Sequence, residues 1–286
     1  MASDNRFAVL IDADNVSVKY IKIILDEISK DGIATYKRIY GDWTNPSLIS
    51  WKSTLLDNSI IPVQQYSYTT GKNSTDSAMI IDAMDILYSG RVEGFCLVSS
   101  DSDFTRLAAR LRESGMTVIG MGESKTPNSF IAACNKFKYL DILSAADEAE
   151  AEEAAPKAEP AKKPAAQPKK TAQKAAAKKP KEEPKAEKEP KPAELKKQQE
   201  KAIEEPRTSL RTIRRALRTI VRENSDEDNW IMVSQVGNLL DKRYTDFDVR
   251  NFGFSKLTPF LESLDMFEIK DMKKDSSSPQ KYVRLK

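Results

Sequence analysis

The sequence predicts an α/β head with a parallel sheet covered by helices on both faces, then a charged low-complexity segment and a small winged-helix tail. Three observations carry this. Short apolar runs alternate with stretches of helical apolar spacing from Phe7 to about Leu143, which implies parallel strands joined by right-handed crossovers. Ala, Lys, Glu and Pro fill almost all of the stretch from Ala151 to Glu205, which has no aromatic residue and so cannot bury a core. Beyond it, three helical patterns and a final pair of apolar runs make up a winged helix. The boundaries read as residues 1–145 for the head, 146–205 for a disordered linker and 206–286 for the tail.

In the head, Phe7 to Ile11 is an apolar strand ending in Asp12-Ala13-Asp14-Asn15. Val18, Ile21, Ile24, Leu25 and Ile28 then keep helical spacing to about Ser29, with Gly32 just past the end. Ile33 to Tyr40 reads as the second strand. Asn45 caps a helix with Pro46 at its first position, running to about Asp57. Ile60 to Tyr66 is a third strand, with its proline near the start where a missing donor does least harm. A polar loop from Ser67 to Ser74 leads to a helix from Thr75 to Tyr88. Phe95 to Val98, bounded by Gly94, is a fourth strand buried on both faces. A helix from Phe104 to Glu113 ended by Gly115, a strand Thr117 to Met121, a helix from about Pro127 and a short strand Lys138 to Leu143 complete the head.

On this scheme four acids share one rim. Asp12 follows the first strand, Asp76 begins the helix after the third, and Asp101 and Asp103 follow the fourth. Ligands of open α/β sheets bind outside the carboxyl ends of the strands. A single aspartate there also reads as a helix cap, and a strand-end set also suits a phospho-acceptor domain of the receiver type. Carboxylates converging from three segments are what Mg²⁺ or Mn²⁺ takes as ligands, and the ion offsets their mutual repulsion. Such an ion polarises a phosphoryl oxygen and activates water toward a phosphodiester. Ser99 and Ser100 are placed to orient the carboxylates by hydrogen bonds. Trp43, Tyr66 and Tyr68 are candidates for stacking on unpaired bases, Lys72 for a phosphate contact, and Trp51 for the core.

Composition removes other chemistries. The chain has no histidine, which excludes imidazole bases, Ser-His-Asp and Cys-His nucleophiles and His-ligated zinc. The first strand-to-helix turn lacks the glycines of a dinucleotide cradle. Cys96 and Cys134 show no CxxC spacing, the pattern of structural thiols in a reducing compartment. No signal-peptide pattern opens the sequence, and no stretch approaches the roughly 18 apolar residues of a membrane span. A cytoplasmic protein without membrane contact is therefore expected, and nothing in the sequence settles an oligomeric state. The head is net acidic while linker and tail are net basic, which points the tail toward a polyanion.

Ile11-Asp12-Ala13-Asp14-Asn15, then Lys72 to Asp76 with Asp82 six residues on, then Ser99-Ser100-Asp101-Ser102-Asp103-Phe104 resemble the three signature blocks of the NYN domain of LabA-type proteins, relatives of the PIN nucleases. The blocks come in the family's order and span nearly all of residues 5 to 145. The resemblance implies a PIN-like Rossmannoid fold and Mg²⁺- or Mn²⁺-dependent ribonuclease activity. It makes Asp12, Asp76, Asp101 and Asp103 the metal-binding carboxylates and places Asn15 near the scissile phosphate. Ala13 stands where glycine is commoner, and Asn73-Ser74 where Gly-Val or Gly-Ser is usual, but neither removes an acid. The spacing of Asp82 turns it to a different helix face from Asp76, so it reads as structural.

In the tail, Leu210, Ile213, Leu217, Ile220 and Val221 keep helical spacing while Arg207, Arg211, Arg214, Arg215, Arg218 and Arg222 take the other faces. Helices from about Ser234 to Arg243 and Asp248 to Leu264 follow, and Phe267 to Lys270 pairs with Lys281 to Leu285 as a β-wing. Trp230, Val233, Val236-Gly237, Leu240, Tyr244, Phe252-Gly253-Phe254, Lys256-Leu257, Phe260-Leu261 and Phe267 resemble the LOTUS (OST-HTH) domain, an RNA-binding winged helix found attached to NYN domains. Phe254-Ser255-Lys256-Leu257 departs from the Tyr-Lys-Lys-Leu commoner there. The expectation is a metal-dependent endoribonuclease acting on single-stranded or structured RNA, with an RNA-binding module on a flexible tether. The alternatives are a regulatory RNA-binding scaffold with weak catalysis and a phosphatase or nucleotide hydrolase using the same ion.

Overall fold

The computed structural model describes residues 5–66, 74–154, 208–272 and 280–286. The expectations for Tyr68, Lys72, Arg207 and the linker from residue 155 onward lie outside those residues.

Strands β1 (Arg6–Asp12), β2 (Ile33–Gly41), β3 (Ile61–Gln64), β4 (Gly94–Val98), β5 (Thr117–Gly122) and β6 (Lys136–Tyr139) form one parallel sheet in the order β3-β2-β1-β4-β5-β6. They alternate with α1 (Ile21–Asp31), α2 (Trp51–Asp57), α3 (Ser74–Ser89), α4 (Thr105–Glu113) and α5 (Asn128–Ala133), and α6 (Leu140–Ala154) follows the last strand. The strands are apolar runs because both faces are covered. Phe7, Val9 and Ile11 pack into the layer with α1, α2 and α6, while Ala8 and Leu10 pack into the layer with α3, α4 and α5. Trp51 lies in the first layer, 2% exposed, as expected of a core residue. In the central register Ile11 sits opposite Ile39 on one side and Val98 on the other, which brings the ends of β1 and β4 side by side.

Two elements of the head differ from expectation. The strand expected at Lys138–Leu143 ends at Tyr139, and Leu140 and Leu143, three apart, turn instead into the α1 layer as the first turn of α6. That helix runs to Ala154, past the change of composition at 146. Between Asn45 and Asp57 a 3-10 turn, Pro46–Leu48, precedes α2; Asn45 caps it by accepting from the Ser47 amide at 3.1 Å.

The tail comprises α7 (Leu210–Asn224), α8 (Val233–Arg243) and α9 (Leu257–Ser263), with β7 (Ile231–Met232), β8 (Phe267–Met272) and β9 (Gln280–Leu285) as an antiparallel sheet ordered β7-β9-β8. The wing expected from sequence is thus present and gains β7 as a third strand. The third expected helix is two pieces: a 3-10 turn, Val249–Phe252, ends at Gly253 in the left-handed region (φ 79°), and α9 begins four residues later. Phe252 and Phe260 still meet, stacked at 5.2 Å, so their spacing reports a shared core.

The tail docks directly on the head. Arg250 donates to both carboxylate oxygens of Glu27 on α1, Nη1 at 2.6 Å and Nη2 at 3.0 Å, and also grips Asp248. Glu27 is 3% exposed and is met from the head by Lys30 and by Lys138 at 2.9 Å. Burial alone would raise its pKa, but the hydrogen bonds from Arg250, Lys30 and Lys138 hold the carboxyl well below the usual range. Beside this pair, the Phe137 amide of edge strand β6 donates to the Thr245 carbonyl at 2.7 Å, and the Tyr139 hydroxyl to Asp246 at 3.2 Å. The linker therefore joins two surfaces already in contact. No helix among the described residues is long and apolar enough to cross a membrane.

Candidate metal centre

The ends of β1 and β4 and the start of α3 bring the acids together. Asp101 follows β4 and caps the 3-10 turn Ser102–Phe104, accepting from the Asp103 amide at 2.9 Å. That turn aims Asp103 at the same side, and Asp76 enters from the first turn of α3. One carboxylate oxygen each from Asp76, Asp101 and Asp103 lies within 4.8 Å of the others. Oxygens so spaced on partly exposed side chains suit a single hard cation that keeps some of its water.

Asp12 lies outside that triad. Its carboxylate is 1% exposed and accepts three hydrogen bonds: from the Asn15 amide group at 2.8 Å, the Ser99 hydroxyl at 2.7 Å and the Asp14 backbone N–H at 3.0 Å. Burial pushes its pKa up, and those three donors oppose the rise. Asp12 thus forms the floor of the site. Its charge still reaches the triad: Asp76 is pushed up to about 6, first by burial and then by the charges of Asp12, Asp101, Asp103 and Asp14. Asn15, expected near the substrate, is exposed at the mouth with its amide turned back onto Asp12.

Of the two serines expected to orient the carboxylates, Ser99 does so, whereas Ser100 instead holds the backbone after β5. Ser99, fully buried, donates to Asp12 and accepts from the Asp101 amide at 3.0 Å, so one hydroxyl links the two strand ends. Ser100 accepts from the Glu123 amide at 2.9 Å. Glu123 had no place in the expected set, although it follows β5 as the other acids follow their strands; its carboxylate accepts from the Tyr20 hydroxyl at 3.2 Å and pairs with Lys125 at 2.8 Å. Gly122 is required for this packing, because a methyl there would stand 2.6 Å from the Ser99 carbonyl oxygen and 2.7 Å from the Thr126 hydroxyl.

The stacking candidates part company. Trp43 is half-buried against the α1 layer, its ring N–H donating to the Val63 carbonyl at 3.1 Å, so it is a structural residue. Tyr66 is 58% exposed. Asp82 is structural, as its spacing implied: it binds Arg38 and Tyr40 on β2 and so fixes α3, with Asp76, against the sheet.

Comparison with known proteins adds the following. Residues 6–141 match the family model of the NYN domain, and residues 207–278 that of the OST-HTH/LOTUS domain. A solved structure of a protein of unknown function from Vibrio parahaemolyticus is 19% identical and aligns over 49% of this chain and 96% of that one, with a TM-score of 0.41. No curated protein matches the sequence.

Proposed function

The chain joins an NYN domain, of a nuclease family, to an OST-HTH/LOTUS domain, of an RNA-binding family, and from that pairing we propose a metal-dependent endoribonuclease that hydrolyses phosphodiesters in single-stranded or structured RNA. The observation that carries the proposal is the triad of Asp76, Asp101 and Asp103, three carboxylates from two distant segments with oxygens within 4.8 Å and one of them pushed up to about 6 by its neighbours. A set this repulsive fits a divalent cation, Mg²⁺ or Mn²⁺, which lowers the electrostatic cost of keeping all three ionised.

In this reading Asp76, Asp101 and Asp103 hold the ion, and Asp12, held by three donors, adds charge from beneath. The bound ion supplies charge stabilisation at the phosphoryl oxygens and an activated water. Ser99 keeps Asp12 and the Asp101 backbone in register, and Asn15, exposed but with its amide group donating to Asp12, is the side chain we assign to the phosphate contact. With no histidine in the chain, proton transfer falls to carboxylates and solvent. The free, buried thiols Cys96 and Cys134 support a reducing compartment, the cytoplasm.

The test is a cleavage assay with the full chain on RNA, single-stranded DNA and duplex DNA, with Mg²⁺ or Mn²⁺ and with chelator. RNA cut only in the presence of metal, and not by Asp101→Asn, is the expected result. RNA bound but never cut would assign the chain to the rival class, a regulatory RNA-binding scaffold. Cleavage surviving chelation would remove the metal reading.

A further inference from the structure

We infer that the tail grips RNA along the exposed face of α7, with the phosphodiester backbone lying over Arg211, Arg214, Arg215, Arg218 and Arg222, and not through α9. At 3.6 residues per turn these five positions fall within an arc of about 100° and extend about 16 Å along the axis. The opposite side is committed to the core through Ile213, Ala216, Leu217, Ile220 and Val221, so the arginines have a single direction to face. All five are exposed, and together with Leu210 and Thr219 they line one continuous surface depression.

This face is poised for a polyanion. Among the described residues no carboxylate lies within ion-pair distance of any of the five, whereas Arg250, Arg284 and Lys286 elsewhere in the tail are each paired with an acid. Among the described residues, Arg214 is the one of the five with a side-chain hydrogen bond, donating to the Leu264 carbonyl at 3.3 Å. Five like charges three and four residues apart repel one another, and an external anion relieves that. Docking on the head uses Thr245, Asp246 and Arg250, none of them on this side of α7. By contrast α9, where a winged helix would be expected to read bases, holds no Lys or Arg between Leu257 and Ser263 and only Lys256 at its cap.

Guanidinium forks match phosphate oxygens two at a time, and a straight row of them follows a strand of regularly spaced charges. Contacts of this kind position a nucleic acid without reading its sequence. The inference rests on RNA as the ligand of the tail and adds which surface holds it and by what chemistry.

The experiment is fluorescence anisotropy of labelled single-stranded RNA with the full chain, in chelator so that nothing is cut, between about 50 and about 200 mM salt. Paired substitution of Arg215→Ala and Arg218→Ala, both solvent-exposed, should make the plot of log affinity against log salt shallower by about 1.4, at about 0.7 per lost single-strand phosphate contact. It should weaken two unrelated RNA sequences equally, by about tenfold or more at moderate salt, while Lys256→Ala changes neither. Unchanged binding and slope in the arginine pair would overturn the inference, as would loss from Lys256→Ala alone or loss confined to one sequence. Binding of polyglutamate by this face in preference to RNA would assign it to an acidic protein and overturn it too. If the wild-type chain binds no RNA, the RNA reading of the tail itself fails; if it binds and the pair has no effect, only the α7 assignment does.

Discussion

Replacing Asp76 with Asn separates the cost of the acidic triad from its use. Burial and four neighbouring carboxylates push Asp76 up to about 6, against an ordinary value of about 4. A carboxyl whose folded pKa lies above its unfolded value favours the fold below the unfolded value and loses that contribution as pH rises through the folded one. Near neutral pH, therefore, ionised Asp76 works against the metal-free fold. At about 1.4 kcal/mol per pH unit the cost is about 3 kcal/mol, and screening of a partly exposed side chain lowers it to about 1–2 kcal/mol. Asp76→Asn should then raise the Tm of the full chain in chelator near neutral pH by about 5 °C. The gain should vanish near pH 4, where the wild-type carboxyl is already protonated. Adding Mn²⁺ should reverse the order, since binding to the native state stabilises only the protein that still has its ligands. Differential scanning fluorimetry across pH, with and without Mn²⁺, reads all of this. A lower Tm for Asp76→Asn in chelator near neutral pH, or equal stabilisation of both proteins by Mn²⁺, would refute the electrostatic account of the triad.

Other parts of the structure make separate demands. Gly122→Ala puts a methyl against the Ser99 carbonyl and should cost about 1–3 kcal/mol as an overpacked site; RNA cleavage should fall with it because Ser99 holds Asp12, and an unchanged rate would show that Ser99 is not positioned by this contact. Glu27→Ala removes the buried partner of Arg250 and Lys138, which keep Asp248 and Asp31, and should cost about 1.5–3 kcal/mol in chemical denaturation. Because the Glu27 carboxyl is held below its usual range, its contribution is present above the unfolded value of about 4.3 and is lost as pH falls below it. The stability gap between wild type and Glu27→Gln should therefore close in acid, and a gap that widens there would contradict the pairing. Asp101→Asn keeps an oxygen for the Asp103 amide and should hold its Tm in chelator to within a few degrees while losing RNA cleavage; retained cleavage would remove Asp101 from the site.

The sheet was legible because its central strands are covered on both faces: Phe7–Ile11 and Phe95–Val98 are unbroken apolar runs, each followed at once by polar turn residues and then by a helical pattern. Boundaries were less legible where one spacing serves two structures. Val249, Phe252, Phe260 and Leu261 fit a single helix, yet Gly253 takes a left-handed conformation and folds the two halves onto one core. Likewise Lys138–Leu143 holds a strand end and a helix start, and a short apolar run does not distinguish them. At the site, the strand-end rule located Asp12, Asp76, Asp101 and Asp103 on one rim, because chain direction in a parallel sheet decides which end each acid occupies. It did not reveal that Asn15 and Ser99 would occupy the oxygens of Asp12 and set it beneath the other three. The Glu27–Arg250 contact joins residues that are 223 apart in the chain. Neither end carries a local signal, since a charged residue on an amphipathic helix and an arginine in a turn both read as solvated.

Calorimetric titration of Mn²⁺ into the full chain, set against Asp101→Asn near neutral pH, tests the triad most directly. One ion per wild-type chain and none in the variant is the result the geometry of Asp76, Asp101 and Asp103 predicts. Equal binding by both proteins, or no binding by either, would leave these carboxylates without the shared cation on which the proposed chemistry depends.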